Sequence, residues 1–282
     1  MTGRTDVDHL SERDLRRLAT FVYDYCGIKL PSTKQVMVEG RLRRRLRATG
    51  RATLSDYCRY IFDDGGMESE AIHLIDAITT NKTDFFREPE HFRFLIAEAL
   101  PQIIADRRGT PGPLKFWSAA SSIGAEPYTL AMVLADYSAR DRALKAQIFA
   151  TDISTKVLKQ VTEAIYPHAM IEPVPMEMRK RYLLRSKTQP TEVVRIVPEL
   201  RQMIRTGRLN LMDEKYAIDK DMDAIFCRNV LIYFDKPTQS AVLQRLCAHL
   251  RPGGYLFLGH SESLSGQGLP VVSLGSSIFR RV

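Results

Sequence analysis

From Phe92 onward the chain alternates helix-length segments with short apolar runs, and this rhythm limits the fold more than any other feature of the sequence. The runs Leu114 to Ala119, Ala146 to Ala150, Asp223 to Cys227 and Gly254 to Leu258 are of strand length, with helices such as Pro127 to Tyr137 and Lys236 to Leu250 between them. Strands that are apolar throughout are buried on both faces. The repeated strand, helix, strand order therefore predicts an open parallel sheet with helices on both sides. Pro252-Gly253-Gly254 reads as a turn feeding the last parallel strand. The stretch from about 171 to 207 breaks the rhythm. A helix around Met176 to Leu184 precedes the charged, poorly alternating Val193-Val194-Arg195-Ile196-Val197, and the stretch is read as a small β insertion.

The first 90 residues read as short helices. Leu15, Leu18, Ala19 and Val22 fall on one helical face, and Gly27 is a natural stop. Pro31-Ser32 followed by Gln35 predicts a capping box for a second helix ending near Gly50. That helix carries Val38, Leu42 and Leu46 at spacing four and five arginines, Arg41, Arg43, Arg44, Arg45 and Arg47, within seven residues. Arg41, Arg44 and Arg45 share a face, so a positive strip is expected opposite the inward leucines. Two further helices are predicted over Thr53 to Asp63 and Glu68 to Ile78.

The net charge of +8 invites a nucleic-acid reading, but its distribution argues otherwise. Residues 1 to 90 hold 15 basic and 15 acidic side chains, whereas residues 179 to 208 hold nine basic ones against Glu192 and Glu199. Nearly all of the excess belongs to the insertion. No recognisable nucleic-acid module is present, and no apolar run approaches the ~18 residues of a membrane span. Cys26, Cys58, Cys227 and Cys247 are far apart, without ligand spacing, so neither a disulfide framework nor a metal site is predicted and a reduced, cytoplasmic protein is expected.

In open α/β sheets ligands bind beyond the carboxyl ends of the strands. Three strand ends here carry suitable groups. The first run leads into the small-residue loop Ser118 to Gly124, whose backbone can approach a ligand closely. The second ends in Asp152, an acid suited to a ribose diol, and the third in Arg228-Asn229. Each signal is weak alone.

Taken together they are specific. Thr79-Thr80-Asn81-Lys82-Thr83-Asp84-Phe85-Phe86-Arg87-Glu88, the Trp117 to Tyr128 segment, Phe149-Ala150-Thr151-Asp152-Ile153, Asn210-Leu211, Phe226 to Phe234 and Gly259-His260-Ser261-Glu262 resemble, in order and spacing, the CheR-type chemotaxis protein methyltransferases. The resemblance spans almost the whole chain. It implies a Rossmann-like α/β sheet domain that binds S-adenosylmethionine and carries a small β insertion, preceded by a small all-α domain. The expected boundaries are 1–80 for a receptor-docking helical domain, 81–91 for a linker contributing to the cofactor site, and 92–282 for the methyltransferase domain. The resemblance further implies that Asn81, Thr83, Arg87, Glu126, Asp152, Asn210, Leu211, Arg228 and Asn229 bind the cofactor, with Arg87 and Tyr233 beside the transferring methyl group. The product would be S-adenosylhomocysteine. A role for His260 in the cleft stays open.

The implied reaction converts glutamate side chains on the cytoplasmic helices of chemoreceptors into methyl esters. A glutamate carboxyl, with a pKa of about 4.3, is already ionised at neutral pH, so no general base is required. Arg41, Arg44, Arg45 and Arg47 lie where the family's helical domain meets the acidic receptor. Some relatives grip a receptor's C-terminal peptide through a glycine-containing loop of the insertion. Here that stretch reads Arg185-Ser186-Lys187-Thr188-Gln189-Pro190, so no such tether is expected. A monomer without nucleic-acid partners or membrane insertion is anticipated. The chain departs from the common Ser-Thr-Gly-Glu-Glu-Pro, having Ser122-Ile123-Gly124-Ala125-Glu126-Pro127. That change keeps open a cofactor-binding signalling module with little activity, beside an RNA-modifying methyltransferase as the alternative enzyme.

Overall fold

The computed structural model describes residues 8–139, 144–185, 192–264, 268–275 and 277–282. They form two compact units. One comprises the residues up to Thr80 with Tyr233–Asp235, the other Asn81–Ile232 with Lys236–Val282.

In the first unit, α1 (Glu12–Cys26) starts where the Ser11 hydroxyl accepts the Asp14 N–H at 3.1 Å, and stops at Gly27 with φ 73°. α2 (Gln35–Thr49) follows a 3-10 turn, Ser32–Lys34, and ends at Gly50. The capping box expected at Ser32 does not form. Ser32 uses its carbonyl to take the Gln35 N–H, while the Gln35 side chain donates to Leu10 O at 3.1 Å and Glu39 Oε1 at 2.9 Å. α3 (Leu54–Phe62) is capped by Thr53, and α4 (Met67–Ile78) completes the unit. Leu18, Val22, Val38, Leu42, Leu54 and Leu74 are fully buried, each contributing roughly 1.5–3 kcal/mol of apolar burial.

The second unit opens with α5 (Pro89–Phe94), which continues through a π-helical segment, Leu95–Ala99, into α6 (Leu100–Asp106). Then come β1 (Leu114–Ala119), α7 (Ala125–Ser138), β2 (Ala146–Asp152) and α8 (Thr155–Glu163). After these the chain forms β3 (Ile165–Pro167), α9 (Met176–Tyr182), β4 (Leu183–Leu184), β5 (Val193–Ile196), α10 (Pro198–Gln202) and β6 (Ile204–Arg208). The last elements are β7 (Met222–Cys227), α11 (Lys236–His249), β8 (Leu250–Leu258), β9 (Val271–Gly275) and β10 (Ile278–Arg281).

Seven of these strands make one sheet in the order β6-β2-β1-β7-β8-β10-β9. The pairs from β6 to β8 are parallel, and β10 runs antiparallel to both β8 and β9. A doubly wound sheet is thus present, as the apolar runs predict. Its centre is aromatic: Phe226 and Phe257, on neighbouring strands, stack at 4.2 Å, and Phe92 of α5 stacks on Phe226 at 6.0 Å. The insertion is a separate three-stranded antiparallel sheet, β3-β5-β4.

Further features differ from the expectation, the first being that the insertion's sheet takes in β3 (Ile165–Pro167), ahead of the expected start near residue 171. Ile204–Arg208, placed within the insertion on its charge, is an edge strand of the main sheet, paired in parallel with β2. Pro252-Gly253-Gly254 is not a turn before a strand but a bulge inside β8, where the register against β7 shifts. A Cβ at Gly254 would lie 2.9 Å from Met222 O, so only glycine lets the two backbones approach this closely. Ser186 to Pro190 lie outside the described residues. No helix among the described residues is long and apolar enough to cross a membrane.

Candidate active site

β1 has β2 on one side and β7 on the other, so the strand order reverses there and a crevice opens beyond the carboxyl ends of these strands. The loop after β1 is shaped for it. Ala120, Ser122 and Gly124 all have positive φ, of 58°, 51° and 97°. The turn is pinned from several directions: the Ser121 N–H donates to Thr151 O at 2.8 Å, the Ser122 N–H to Asp152 Oδ2 at 2.9 Å, and the Tyr166 hydroxyl to Ile123 O at 2.7 Å. The Ser122 hydroxyl donates to Asn81 O at 2.9 Å, which ties the start of the unit to this loop. Asp152, at the tip of β2, also accepts the Ser154 N–H at 2.9 Å and is only 7% exposed.

At the end of β7 stands Arg228, its side chain almost wholly buried, bonded to two carboxylates. Its Nη2 and Nε reach Glu88 Oε2 at 3.0 and 3.2 Å, its Nη1 reaches Glu126 Oε2 at 3.1 Å, and Nη2 also donates to Arg87 O. The guanidinium lies 5.4 Å from the centre of the Phe92 ring. Glu88 begins α5 in the left-handed region, φ 54°, and takes further bonds from Asn229 Nδ2 and the His260 N–H, each at 3.3 Å. Burial pushes the Glu88 carboxyl up, but the Arg228 charge and these donors outweigh it and hold it below the usual carboxylate value. Glu126, in the first turn of α7, is shifted the other way. Its burial dominates over Arg228 and over the Ser118 hydroxyl at 2.7 Å, so its carboxyl is raised. Two carboxylates share one guanidinium here, so the cluster favours the arrival of a second cation.

The chain matches the family model described as "CheR methyltransferase, SAM binding domain" over residues 81–276 and that of "CheR methyltransferase, all-alpha domain" over residues 13–79. The chain belongs to the CheR methyltransferase family. It is 40% identical to the Chemotaxis protein methyltransferase of Klebsiella aerogenes over 256 residues, covering 91% of this chain and 85% of the relative. It is 38% identical to Chemotaxis protein methyltransferase 2 of Pseudomonas aeruginosa over 272 residues, covering 96% and 94%. To the Chemotaxis protein methyltransferase of Escherichia coli K12 it is 38% identical over 258 residues, covering 91% and 86%. It is an S-adenosylmethionine-dependent methyltransferase.

The crevice fits that CheR cofactor chemically. A sulfonium and an α-ammonium are cations, for which the surplus carboxylate at Arg228 is suited, and a ribose diol calls for an acceptor such as Asp152 at a strand tip. The buried Ser121 Oγ makes no hydrogen bond among the described residues, which leaves a polar atom in the same loop to be satisfied.

Of the residues singled out from the sequence, Asn81, Asp152 and the Ser122 loop are joined by hydrogen bonds, and Arg87, Glu126, Arg228 and Asn229 meet around Glu88. Asn210 and Leu211 follow β6. Leu209 N–H donates to Asp152 O at 3.0 Å, and Leu211 O is held by the Tyr216 hydroxyl at 2.8 Å and Arg245 Nη2 at 3.0 Å. Thr83 is half-buried and makes no hydrogen bond to the others among the described residues, and the Arg87 guanidinium makes none either. Tyr233 belongs to the helical unit, where Lys34 Nζ lies 5.7 Å from its ring centre. Ala125, which stands out against the family pattern the resemblance implies, is fully buried.

Two residues of this cluster have contacts that the sequence alone did not point to. Glu88 joins Arg228, Asn229 and His260, yet as the first residue before a helix it reads as an ordinary helix-start acid. Glu262 is 6% exposed and accepts the N–H groups of Gly259 at 2.7 Å, Leu231 at 2.8 Å and Asn229 at 2.9 Å. It thereby holds the Asn229 turn, φ 59°, against the end of β8. The Gly259-His260-Ser261-Glu262 string was the available signal. Glu88, His91 and His260 also bring potential ligand atoms within 4.8 Å of one another, with Glu88 paired to the Arg228 guanidinium.

Proposed function

We propose that this methyltransferase converts glutamate side chains on the cytoplasmic helices of chemoreceptors into methyl esters. The observation that carries the reading is the near full-length match to several chemotaxis protein methyltransferases at 38–40% identity, in both the helical and the sheet unit. The bound cofactor supplies an electrophilic methyl group on sulfur. For the chain's own residues, we assign Asp152 to the ribose, Asn210 and Leu211 to the border of the adenine, and Glu126 with Arg228 and Asn229 to the methionine side. Asn81 and Thr83 close over the cofactor from the start of the sheet unit. Arg87 is the donor for the incoming carboxylate, and a catalytic role for Tyr233 rests on the family resemblance alone.

The acceptor is ionised at neutral pH, so catalysis rests on alignment and on replacing water around the carboxylate with fixed donors. Arg87 suits this role because its guanidinium is not engaged elsewhere among the described residues. The helical unit, with Arg44 and Arg47 exposed, is proposed to dock the acidic receptor helices, and no peptide tether is invoked. Incubation with methyl-labelled cofactor and receptor-bearing membranes, followed by alkali, tests the substrate class. Volatile label released as methanol is expected from a carboxyl ester. Alkali-stable label on RNA or on nitrogen would refute the assignment.

A further inference from the structure

Apart from the crevice, the sheet unit has a surface cavity of about 330 Å³ beside the edge strand β6. Ile204 and Thr206, two residues apart and so on one face of β6, line it together with Thr162 of α8, Arg201 and Gln202 of α10, and Tyr128 of α7. No carboxylate lines it. Arg201 is half-buried, its Nε is shut off from solvent, and that N–H finds no acceptor among the described residues. Such an orphaned buried donor is unfavourable unless something else satisfies it. Arg195, on β5, donates its Nε to Glu163 O at 3.2 Å, and neither arginine makes an ion pair with a carboxylate among the described residues. Both guanidiniums act on the Tyr128 hydroxyl through their charge. Burial pushes that phenol up to about 12, and the Arg201 charge, then that of Arg195, opposes the rise.

The available donors are chemically selective. The Thr162 hydroxyl is spent on Leu158 O at 3.0 Å, and the Tyr128 hydroxyl on Val161 O at 2.8 Å. Arg201, the Thr206 hydroxyl and the Gln202 amide remain, and none of them makes a side-chain hydrogen bond among the described residues. Donors supplied to one cavity by both a strand and a helix suit a tetrahedral oxyanion better than a planar carboxylate, which one guanidinium fork would satisfy alone. We propose that this cavity is a second, non-catalytic binding site for the phosphate group of a small ligand, with Arg201 as its principal contact. The basic stretch of the sequence around 195–208 thus gains a use that methyl transfer does not require.

Titration calorimetry of the full chain with inorganic phosphate, with and without saturating S-adenosylhomocysteine, tests this. One saturating phosphate per chain is expected, unaffected by the cofactor product. Arg201→Met should weaken it by about tenfold or more, because a charge-assisted, forked contact is lost. Arg201→Lys should recover part of that loss, and both variants should bind the cofactor product and melt as the parent does. The proposal is overturned if phosphate gives no saturable heat, if its binding disappears once the product is present, or if Arg201→Met binds it as tightly as the parent. It is equally overturned if short polyglutamate binds through Arg201 and phosphate does not, which would make the face a protein-docking surface.

Discussion

At the scale of residues, the opposite shifts of Glu88 and Glu126 around Arg228 make testable demands on pH. Glu88 lies below its ordinary value in the fold, so it stabilises the protein above about pH 4.3 and that contribution is lost as the pH falls through its lower folded value. Glu88→Gln should therefore melt lower than the parent at neutral pH, with the gap closing under acid. A gap that stays constant in scanning calorimetry from neutral to acid pH would show that the pairing does not supply the stability. Glu126 is raised, so the folded state holds its proton longer and stability falls as the pH rises from about 4.3 to the folded value. Ionised Glu126 favours a cation, and affinity for the cationic methyl donor should rise with pH across this window. The neutral-sulfur product should show a weaker trend, and Glu126→Gln should flatten the curve for the donor. Glu262 offers a separate test. Removing its carboxylate leaves three buried N–H groups without an acceptor, at about 1–3 kcal/mol each before relaxation. Glu262→Ala should lose about 3 kcal/mol in urea unfolding and bind the cofactor product more weakly. Unchanged affinity would separate the Asn229 turn from the cofactor site.

At the scale of elements, α2 shows how far a charge pattern can be read. Its heptad-like leucines are buried as the spacing predicts, but the arginines do not act as one strip. Arg41 donates to the free carbonyls at the end of α4, Ile78 O and Thr79 O, and Arg45 grips Glu70 at 2.6 and 3.0 Å. Arg44 and Arg47 are exposed and make no ion pair among the described residues. Arg44→Glu with Arg47→Glu should leave stability within about 0.5 kcal/mol of the parent and cofactor affinity unchanged, while slowing receptor methylation. Arg45→Ala should instead cost about 3 kcal/mol in denaturant, because Glu70 stays buried without its partner. The same distinction explains what was legible in the sequence. The bounds of β1 are those of its apolar run, since a buried parallel strand has no other composition. β6 was hidden because an edge strand faces solvent on one side and can carry Arg205 and Arg208 without penalty. β9, the opposite edge of the sheet, lacked a signal for the same reason and is largely exposed. In β8, proline and glycine usually mark a turn, and only the close approach to Met222 O shows why they stand inside a strand.

At the scale of the whole molecule, the family match and the sheet topology converge on one crevice. The model for the cofactor-binding domain begins at residue 81, and the sheet unit begins at Asn81. Within that unit the chain returns to the carboxyl end of the sheet from four directions, through the Ser122 loop, Asp152, Asn210 and Arg228. Sequence strings single out these positions for the proposed site, but not the cross-links among them, because Glu88 and Glu262 are far in sequence from Arg228 and Asn229. The measurement that bears most directly on the account is titration calorimetry of the parent and Arg228→Met with S-adenosylhomocysteine. The parent should take up one molecule per chain, and the variant should bind at least about tenfold more weakly while remaining folded, since Glu88 and Glu126 lose the guanidinium that holds them in place. No uptake by the folded parent, or equal uptake by the variant, would contradict the claim that this crevice is where the methyl donor binds.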